Sequence, residues 1–412
     1  MTAAPSVMLV AGEASGDLHG AGLCAALRAL APGARVFGMG GERMRAAGAE
    51  LLADVSRRAT VGGTEAVSGI PAIYRVYRRL RAVVERERPS VLVLIDFPEF
   101  NLRLARAGRR AGVPVVYFVP PQIWAWRGRR IETIRRLVSL VLAVFPFERA
   151  LYRDAGVPVE FVGHPVIDAV ASAPSRVEAR RTLSLDGEDG LVIGLLPGSR
   201  HGEAARMLPL MTAAANRLRA RWPDARFVLA QASTLDEGLV RGAMAEAPTI
   251  RVVHDSTYTV MRAADLLVVT SGTATLEAAL LGTPMVVCYR VSTATELMAR
   301  LLVRVPWINL VNITLGRAVV PEIRLRHEVT VDRLVGEAQR LLERPAAREA
   351  QKSAFIELQA QLGEPGVGTR AARLILGGGL RPPSPPEGAV EARSETSPRK
   401  ECGGTAAARA RS

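Results

Sequence analysis

Lysine is nearly missing from these 412 residues: of 54 basic side chains, only Lys352 and Lys400 are Lys, and the rest are Arg. Part of that bias reflects base composition, so the high pI carries little weight. Cysteine is scarce too. Cys24, Cys288 and Cys402 lie far apart with no CxxC pair, which excludes a disulfide framework and a cysteine zinc site and points to a reducing compartment. Aromatic residues make up 5%, and no stretch interleaves them with basic residues. That argues against nucleic acid as a partner. The longest apolar run, Leu137–Phe147, falls far short of the ~20 residues a membrane-spanning helix needs. The N-terminus lacks a basic n-region, and its apolar run Val7–Ala11 is too short for a signal peptide. A cytoplasmic protein is expected, one that at most lies on a membrane. There is no Asp-x-Asp pair and no histidine cluster, so no metal and no cofactor is expected.

Apolar residues are plentiful at 49%, and 37 glycines suit tight loops in an α/β protein. The length allows two domains plus extras. A net charge of +14 favours anionic partners: phosphorylated substrates or an acidic membrane surface.

One stretch organises the rest. Leu266–Thr270 reads as a buried parallel strand, Ser271-Gly272-Thr273 as a tight turn, and the following Ala/Leu/Glu segment as a helix stopped by Gly282 and Pro284. Such a turn aims N–H groups and hydroxyls out of the carboxyl edge of a sheet, where anions bind. Glu277 lies one helical turn after Thr273 on the same face. It suits a sugar diol, or else is an ordinary solvated first-turn acid. A second turn of this kind, Gly198-Ser199-Arg200, follows the strand Leu191–Leu196 and is a candidate pyrophosphate site. Arg200 is assigned to leaving-group charge, or else is a surface arginine at a helix start. Asn312 either reaches a nucleotide or is a structural amide.

The first half differs. After strand Val7–Ala11 comes Gly12-Glu13-Ala14-Ser15-Gly16-Asp17, a glycine-rich loop whose two carboxylates suit hydroxyl groups better than phosphate. Ser15 or Asp17 could equally cap the helix expected from about Leu18. Phe37–Gly41 is read as a loop, because the third glycine of a dinucleotide fingerprint is absent. Ile70–Val84 is a basic amphipathic helix, either a solvated face over a core stripe or a membrane-surface helix. Val91–Ile95 is a central strand, and Asp96 at its carboxyl end is the best general-base candidate in the chain, or else a helix cap for the segment from Leu102. After strand Val115–Val119, two of the four tryptophans, Trp124 and Trp126, stand beside Arg127. They could grip a sugar face, phosphate or lipid head groups, or simply pack. His164 reads as hinge or packing.

The expected organisation is a first Rossmann-like domain over residues 1–168 and a second over 169–354. Helices at 355–380 and a disordered tail at 381–412 follow. A nucleotide-linked sugar on the second domain and an acidic acceptor side on the first fit sugar transfer across a cleft, with leaving-group charge held by Arg200 and helix N-termini.

At this point the chain resembles the lipid-A-disaccharide synthase family, glycosyltransferases of the two-Rossmann (GT-B) type. The resemblance covers about Val7 to Leu376. It rests on Val10–Asp17, Ile95–Asn101, Trp124–Arg127, Pro146–Glu148, Phe161–Pro165, Leu195–Arg200 and Ser271–Glu277, in that order. It implies transfer of the sugar of UDP-2,3-diacylglucosamine to the 6-hydroxyl of 2,3-diacylglucosamine 1-phosphate. The products are a β-1,6 disaccharide and UDP, with inversion and without metal, at the inner-membrane surface. By resemblance Asp96 is the base, Glu13 helps in the acceptor pocket, Arg200 binds pyrophosphate, Glu277 binds ribose, and Asn312 lies near the UDP. The last helices return to the first domain, and a homodimer is compatible. Val61–Glu65 and Ile323–Arg326 depart from the family's pattern. The same layout also serves other UDP-sugar enzymes, such as a peptidoglycan glucosaminyltransferase or an epimerase. A non-catalytic nucleotide-sugar-binding protein is the alternative outside enzymes.

Overall fold

Continuous runs of Val, Leu and Ile can be buried on both faces only in a parallel sheet covered by helices. The computed structural model, which describes residues 4–54, 69–124, 130–185, 190–290, 306–324 and 328–381, contains two such sheets. The first comprises β1 (Ser6–Ala11), β2 (Arg35–Gly40), β3 (Glu50–Asp54), β4 (Val91–Ile95), β5 (Val115–Phe118), β6 (Leu140–Ala143) and β7 (Val159–Phe161). Their order is β3-β2-β1-β4-β5-β6-β7. The second comprises β8 (Val192–Leu196), β9 (Arg226–Gln231), β10 (Arg251–His254), β11 (Leu266–Thr270), β12 (Met285–Cys288) and β13 (Glu322–Ile323). It runs β10-β9-β8-β11-β12-β13.

In each sheet the winding reverses once, between β1 and β4 and between β8 and β11. The loops that leave neighbouring strands there diverge and open a crevice. Ala11 pairs with Ile95, and Leu196 with Val269, so the four loops begin level with their neighbours. Those loops are the ones that hold Glu13, Asp96, Arg200 and Ser271–Thr273.

Two expectations change. Phe37–Gly40 is not a loop but most of β2, parallel to β1. Its glycines disguised it. Gly38 has φ +144°, and a Cβ there would lie 2.0 Å from the Leu9 carbonyl oxygen, at the point where the β2–β3 register slips. A strand glycine at a close backbone approach marks such an irregularity. The C-terminal segment also divides differently. The helix Pro345–Leu362 packs on helices of the second sheet, and Gln351 exchanges hydrogen bonds with the Met285 backbone N–H and carbonyl. Only Val367–Leu376 lies along the first-domain helix Ala14–Leu30. There the Asp168 carboxylate accepts from the N–H groups of Gly366 and Gly368, and Arg370 donates to the Val162 carbonyl. Val61–Glu65, Trp126, Arg127, Leu325–Arg326 and the tail from 382 lie outside the described residues.

Candidate active site

On the first-domain side, β4 ends in an uncommon backbone. Asp96 and Phe97 both have positive φ, +48° and +46°. For residues with a Cβ this region costs about 1–3 kcal/mol each and persists only where the surroundings enforce it. Three contacts do so. The Asp96 N–H donates to the Val119 carbonyl at 3.2 Å. The Asp96 carbonyl accepts from the Tyr117 hydroxyl at 2.8 Å and from Asn101 Nδ2 at 2.7 Å. The Phe97 ring lies where a side chain on residue 12 would be: a Cβ on Gly12 would sit 2.2 Å from Phe97 Cδ1. Gly12 is therefore required by contact, not by its own dihedrals.

The helix expected from Leu18 begins at Ala14, so the acidic loop shrinks to Gly12-Glu13, and Ser15 and Asp17 stand in the first turn. Ser15 is half-buried beside the crevice. Asp17 is not available to a ligand. It is buried, and its carboxylate accepts from the backbone N–H groups of Gly41, Arg43 and Met44 at 2.6, 3.1 and 3.1 Å. It thereby holds the start of the helix Glu42–Ala46, a cap for a different helix from the one anticipated. Trp124 is held by packing: its Nε1 donates to the buried Glu148 at 3.2 Å and its ring meets Phe147 edge-on at 5.2 Å. Glu148 also accepts from the N–H groups of Val144 and Phe145, and burial pushes its carboxyl up to about 7 against those bonds. His164 does serve packing. Its Nδ1 accepts from the Val166 N–H and its ring lies 5.0 Å from Phe145.

On the second-domain side, Gly198 has φ +97° and turns the chain out of β8. Ser199 and Arg200 are exposed at the start of the helix His201–Arg221. Thr234 Oγ1 holds the Ser199 carbonyl at 2.6 Å. Beside it, Ser271 donates to the Ile308 carbonyl at 3.0 Å, Gly272 has open space around it, and Thr273 opens the helix Ala274–Leu280. Glu277 is no solvated surface acid. It is half-buried, accepts from the Tyr258 hydroxyl at 2.9 Å, and burial raises its carboxyl pKa, opposed by Tyr258 and by the charge of Arg43. Arg43 belongs to the first domain, on the helix that Asp17 caps, so its charge acts across the crevice.

Asn312 takes the structural alternative. It is buried, its Oδ1 accepts from the N–H groups of Val319 and Val320, and its Nδ2 donates to the Val320 carbonyl and to Glu322. Glu322 also accepts from the N–H groups of Ile308 and Asn309. This knot fixes the segment whose Ile308 carbonyl meets Ser271. Asn312 thus shapes the crevice wall from behind.

The two sides meet. Arg200 Nη2 donates to Glu13 at 2.6 Å and Nη1 to Glu203 at 3.2 Å. Asp96 is near enough to this bridge for both of its charges to act on it. Burial, reinforced by the Glu13 charge, pushes its carboxyl up to about 6, while the Phe97 N–H and Arg200 pull the other way. A carboxylate made more basic thus stands near a cation bridged across the crevice, at the mouth of two helix-start turns. Among the described residues no group of three or more His, Cys, Asp or Glu could hold a metal, and no helix is long and apolar enough to cross a membrane.

The family model described as Lipid-A-disaccharide synthetase matches residues 7–367. The chain belongs to that family. A lipid-A-disaccharide synthase from Syntrophus aciditrophicus is 44% identical over 372 residues, 90% of this chain and 97% of the relative. One from Myxococcus xanthus is 43% identical over 377 residues, 91% and 98% of the two chains. Solved structures show the GT-B fold at much lower identity. A putative UDP-N-acetylglucosamine 2-epimerase from Listeria monocytogenes aligns with TM-score 0.63 and 14% identity over 90% of this chain and 95% of its own. MurG from Acinetobacter baumannii aligns with TM-score 0.53 and 14% identity over 90% and 98%. As a member of the lipid-A-disaccharide synthetase family, the chain is a glycosyltransferase of lipid A biosynthesis.

Sequence reading placed Glu13, Asp96, Arg200 and Glu277 in one crevice. It missed Tyr117 and Tyr258, which touch the functional loops from neighbouring elements and carry no local signal. Glu148 stands in the Pro146–Glu148 stretch and Glu322 just before the divergent Ile323–Arg326 segment, but their backbone partners are visible only in the assembled fold. The Asn101 of the Asp96–Asn101 stretch was visible, but its three backbone contacts were not.

Proposed function

We propose that the crevice moves 2,3-diacylglucosamine from UDP to the 6-hydroxyl of 2,3-diacylglucosamine 1-phosphate with inversion and without a metal. Asp96 takes the proton of the 6-hydroxyl as that oxygen bonds to the anomeric carbon. The bond from that carbon to the diphosphate breaks, and its electron pair leaves with UDP. The observation that supports this most is the Asp96 carboxyl pushed up to about 6, near the Glu13–Arg200 bridge. At neutral pH such a group is ionised yet a stronger base than an ordinary Asp.

The leaving charge is met by Arg200 and by the backbone N–H groups that open the helices at His201 and Ala274. A diphosphate arriving there replaces Glu13 as the partner of Arg200, which frees Glu13 toward the acceptor. Glu277, already oriented by Tyr258, accepts from the ribose diol. Ser271, Gly272 and Thr273 give the close approach a phosphate needs. Because both sugars carry acyl chains, the enzyme works on the cytoplasmic face of an anionic membrane. The exposed Ile73 and Tyr74, with the arginines of the helix Gly69–Glu87, fit that surface.

The test is disaccharide formation in detergent with the acylated donor and with unacylated UDP-N-acetylglucosamine, wild type against Asp96→Asn. Turnover of the acylated donor, lost in the variant, supports the reading. Turnover of only the unacylated donor would overturn it in favour of another UDP-sugar enzyme. An unaffected Asp96→Asn would leave no chemical role for Asp96.

A further inference from the structure

The geometry points to Asn101 and Tyr117 as positioning residues that lock the peptide after Asp96 and so aim its carboxylate. The inference rests on Asp96 being the base. Neither residue faces the crevice. Asn101 is fully buried on the helix Pro98–Arg110, and Tyr117 is fully buried in β5, the strand beside β4. Yet both converge on one atom, the Asp96 carbonyl oxygen, at 2.7 and 2.8 Å.

The Asn101 amide is not freely orientable. Its Nδ2 faces three carbonyls, those of Val10 at 3.3 Å, Ile95 at 3.2 Å and Asp96 at 2.7 Å. Turning the amide over would set oxygen against three oxygens. The nitrogen must therefore point at them, although this leaves Oδ1 buried with no hydrogen-bond partner among the described residues. A buried acceptor without a partner is costly. An asparagine kept there at that cost ties the ends of β1 and β4, the two strands at the switch point, to the Asp96 peptide. The Tyr117 hydroxyl lies against the same amide.

The peptide they hold joins two residues that both sit at positive φ, +48° and +46°. Relaxation of that strain rotates this peptide, and rotation of the peptide swings the Asp96 side chain away from the Glu13–Arg200 bridge. The Val119 carbonyl, which takes the Asp96 N–H, is itself at a residue with φ +55°, so the far side of the loop cannot supply the restraint cheaply. Two hydrogen bonds to a single carbonyl oppose the rotation. The hydroxyl and the amide thus act on the chemistry from behind the sheet without touching either substrate.

The experiment uses Tyr117→Phe, which removes one hydroxyl and leaves the ring in place, and Asn101→Ala. Turnover, the KM for each sugar substrate and the pH dependence of kcat/KM are measured in wild-type and Asp96→Asn backgrounds. In the wild-type background Tyr117→Phe lowers kcat roughly 10-fold and Asn101→Ala up to roughly 100-fold, as expected for a misplaced reacting group. Both KM values hold, and the acid limb moves to lower pH as the carboxyl leaves its buried position. In Asp96→Asn the same changes have no further effect on the residual rate. A double variant less than multiplicative in its losses also supports one shared target. If Tyr117→Phe stays folded and lowers kcat equally with and without Asp96, or leaves the pH limb in place, the inference fails while Asp96 remains the base. If Asp96→Asn itself keeps full activity, the underlying reading fails first.

Discussion

The two faces of the crevice reach the same edge of a parallel sheet by opposite means. The second-domain face uses ordinary helix starts: Gly198 and Gly272 clear space, Arg200 and Thr273 begin helices, and backbone N–H groups point outward. The first-domain face uses strain and burial. Asp96 and Phe97 stand at positive φ, Gly12 yields its side-chain volume to the Phe97 ring, and the Asp96 carboxyl sits high enough to be a useful base. Under the proposed function, the difference follows from what each face holds. An anion site needs fixed dipoles, which an unstrained helix start supplies. A base needs a pKa moved toward neutrality and a fixed direction, which require desolvation and an enforced backbone.

The contrast can be broken most forcefully at Asp96. Asp96→Asn lowers turnover by about 10²-fold or more while UDP affinity by calorimetry stays at the wild-type value. An equal loss of UDP affinity would erase the division between the faces. Arg200→Ala acts on the other side. It raises the KM for the UDP-sugar and the Kd for UDP by roughly 10-fold or more, since a charge-assisted contact to the diphosphate is lost. Unchanged UDP binding would remove Arg200 from the anion site.

Gly12→Ala tests the strained face by volume alone. Its Cβ must displace the Phe97 ring, so kcat falls by roughly 10-fold while UDP binding persists, read by single-turnover rates and calorimetry. Asn312→Ala sharpens the contrast at the smallest scale. It strands the N–H groups of Val319 and Val320, lowering unfolding free energy by about 1–3 kcal/mol in urea titrations. UDP affinity changes less than in Arg200→Ala, because Asn312 acts from behind the wall.

Stability carries the same signature. The folded-state pKa of Asp96 is raised above its ordinary 3.8 to about 6, so the folded protein holds that proton more tightly than the unfolded chain. The resulting penalty is absent below about pH 4, grows through about 6, and is fully present above it. Asp96→Asn therefore gains thermal stability at pH 8 and loses that gain at pH 4.

How much of this was readable in advance depended on where the signal lies. β4 and β11 are uninterrupted apolar runs with their functional loops directly after them, so Asp96 and Ser271–Thr273 could be placed from local pattern. β2 was hidden because Gly38 and Gly40 look like a loop; only the close approach to Leu9 explains Gly38 in a strand. Asp17 and Asn312 carried the right residue types for ligand contact, but their partners are backbone N–H groups distant in sequence or on the next loop. Tyr117 contributes through one hydroxyl to a carbonyl on a neighbouring strand, a relation that exists only once the sheet is assembled.

The most direct test is the pH dependence of kcat/KM in wild type and in Glu13→Gln. Asp96 titrating near 6 gives an acid limb there, with the rate falling as pH drops through it. Removing the Glu13 charge, which raises that pKa, moves the limb to lower pH. A limb near 6 that stays in place, or moves upward, when Glu13 becomes Gln would contradict a base governed by the bridge between the two domains.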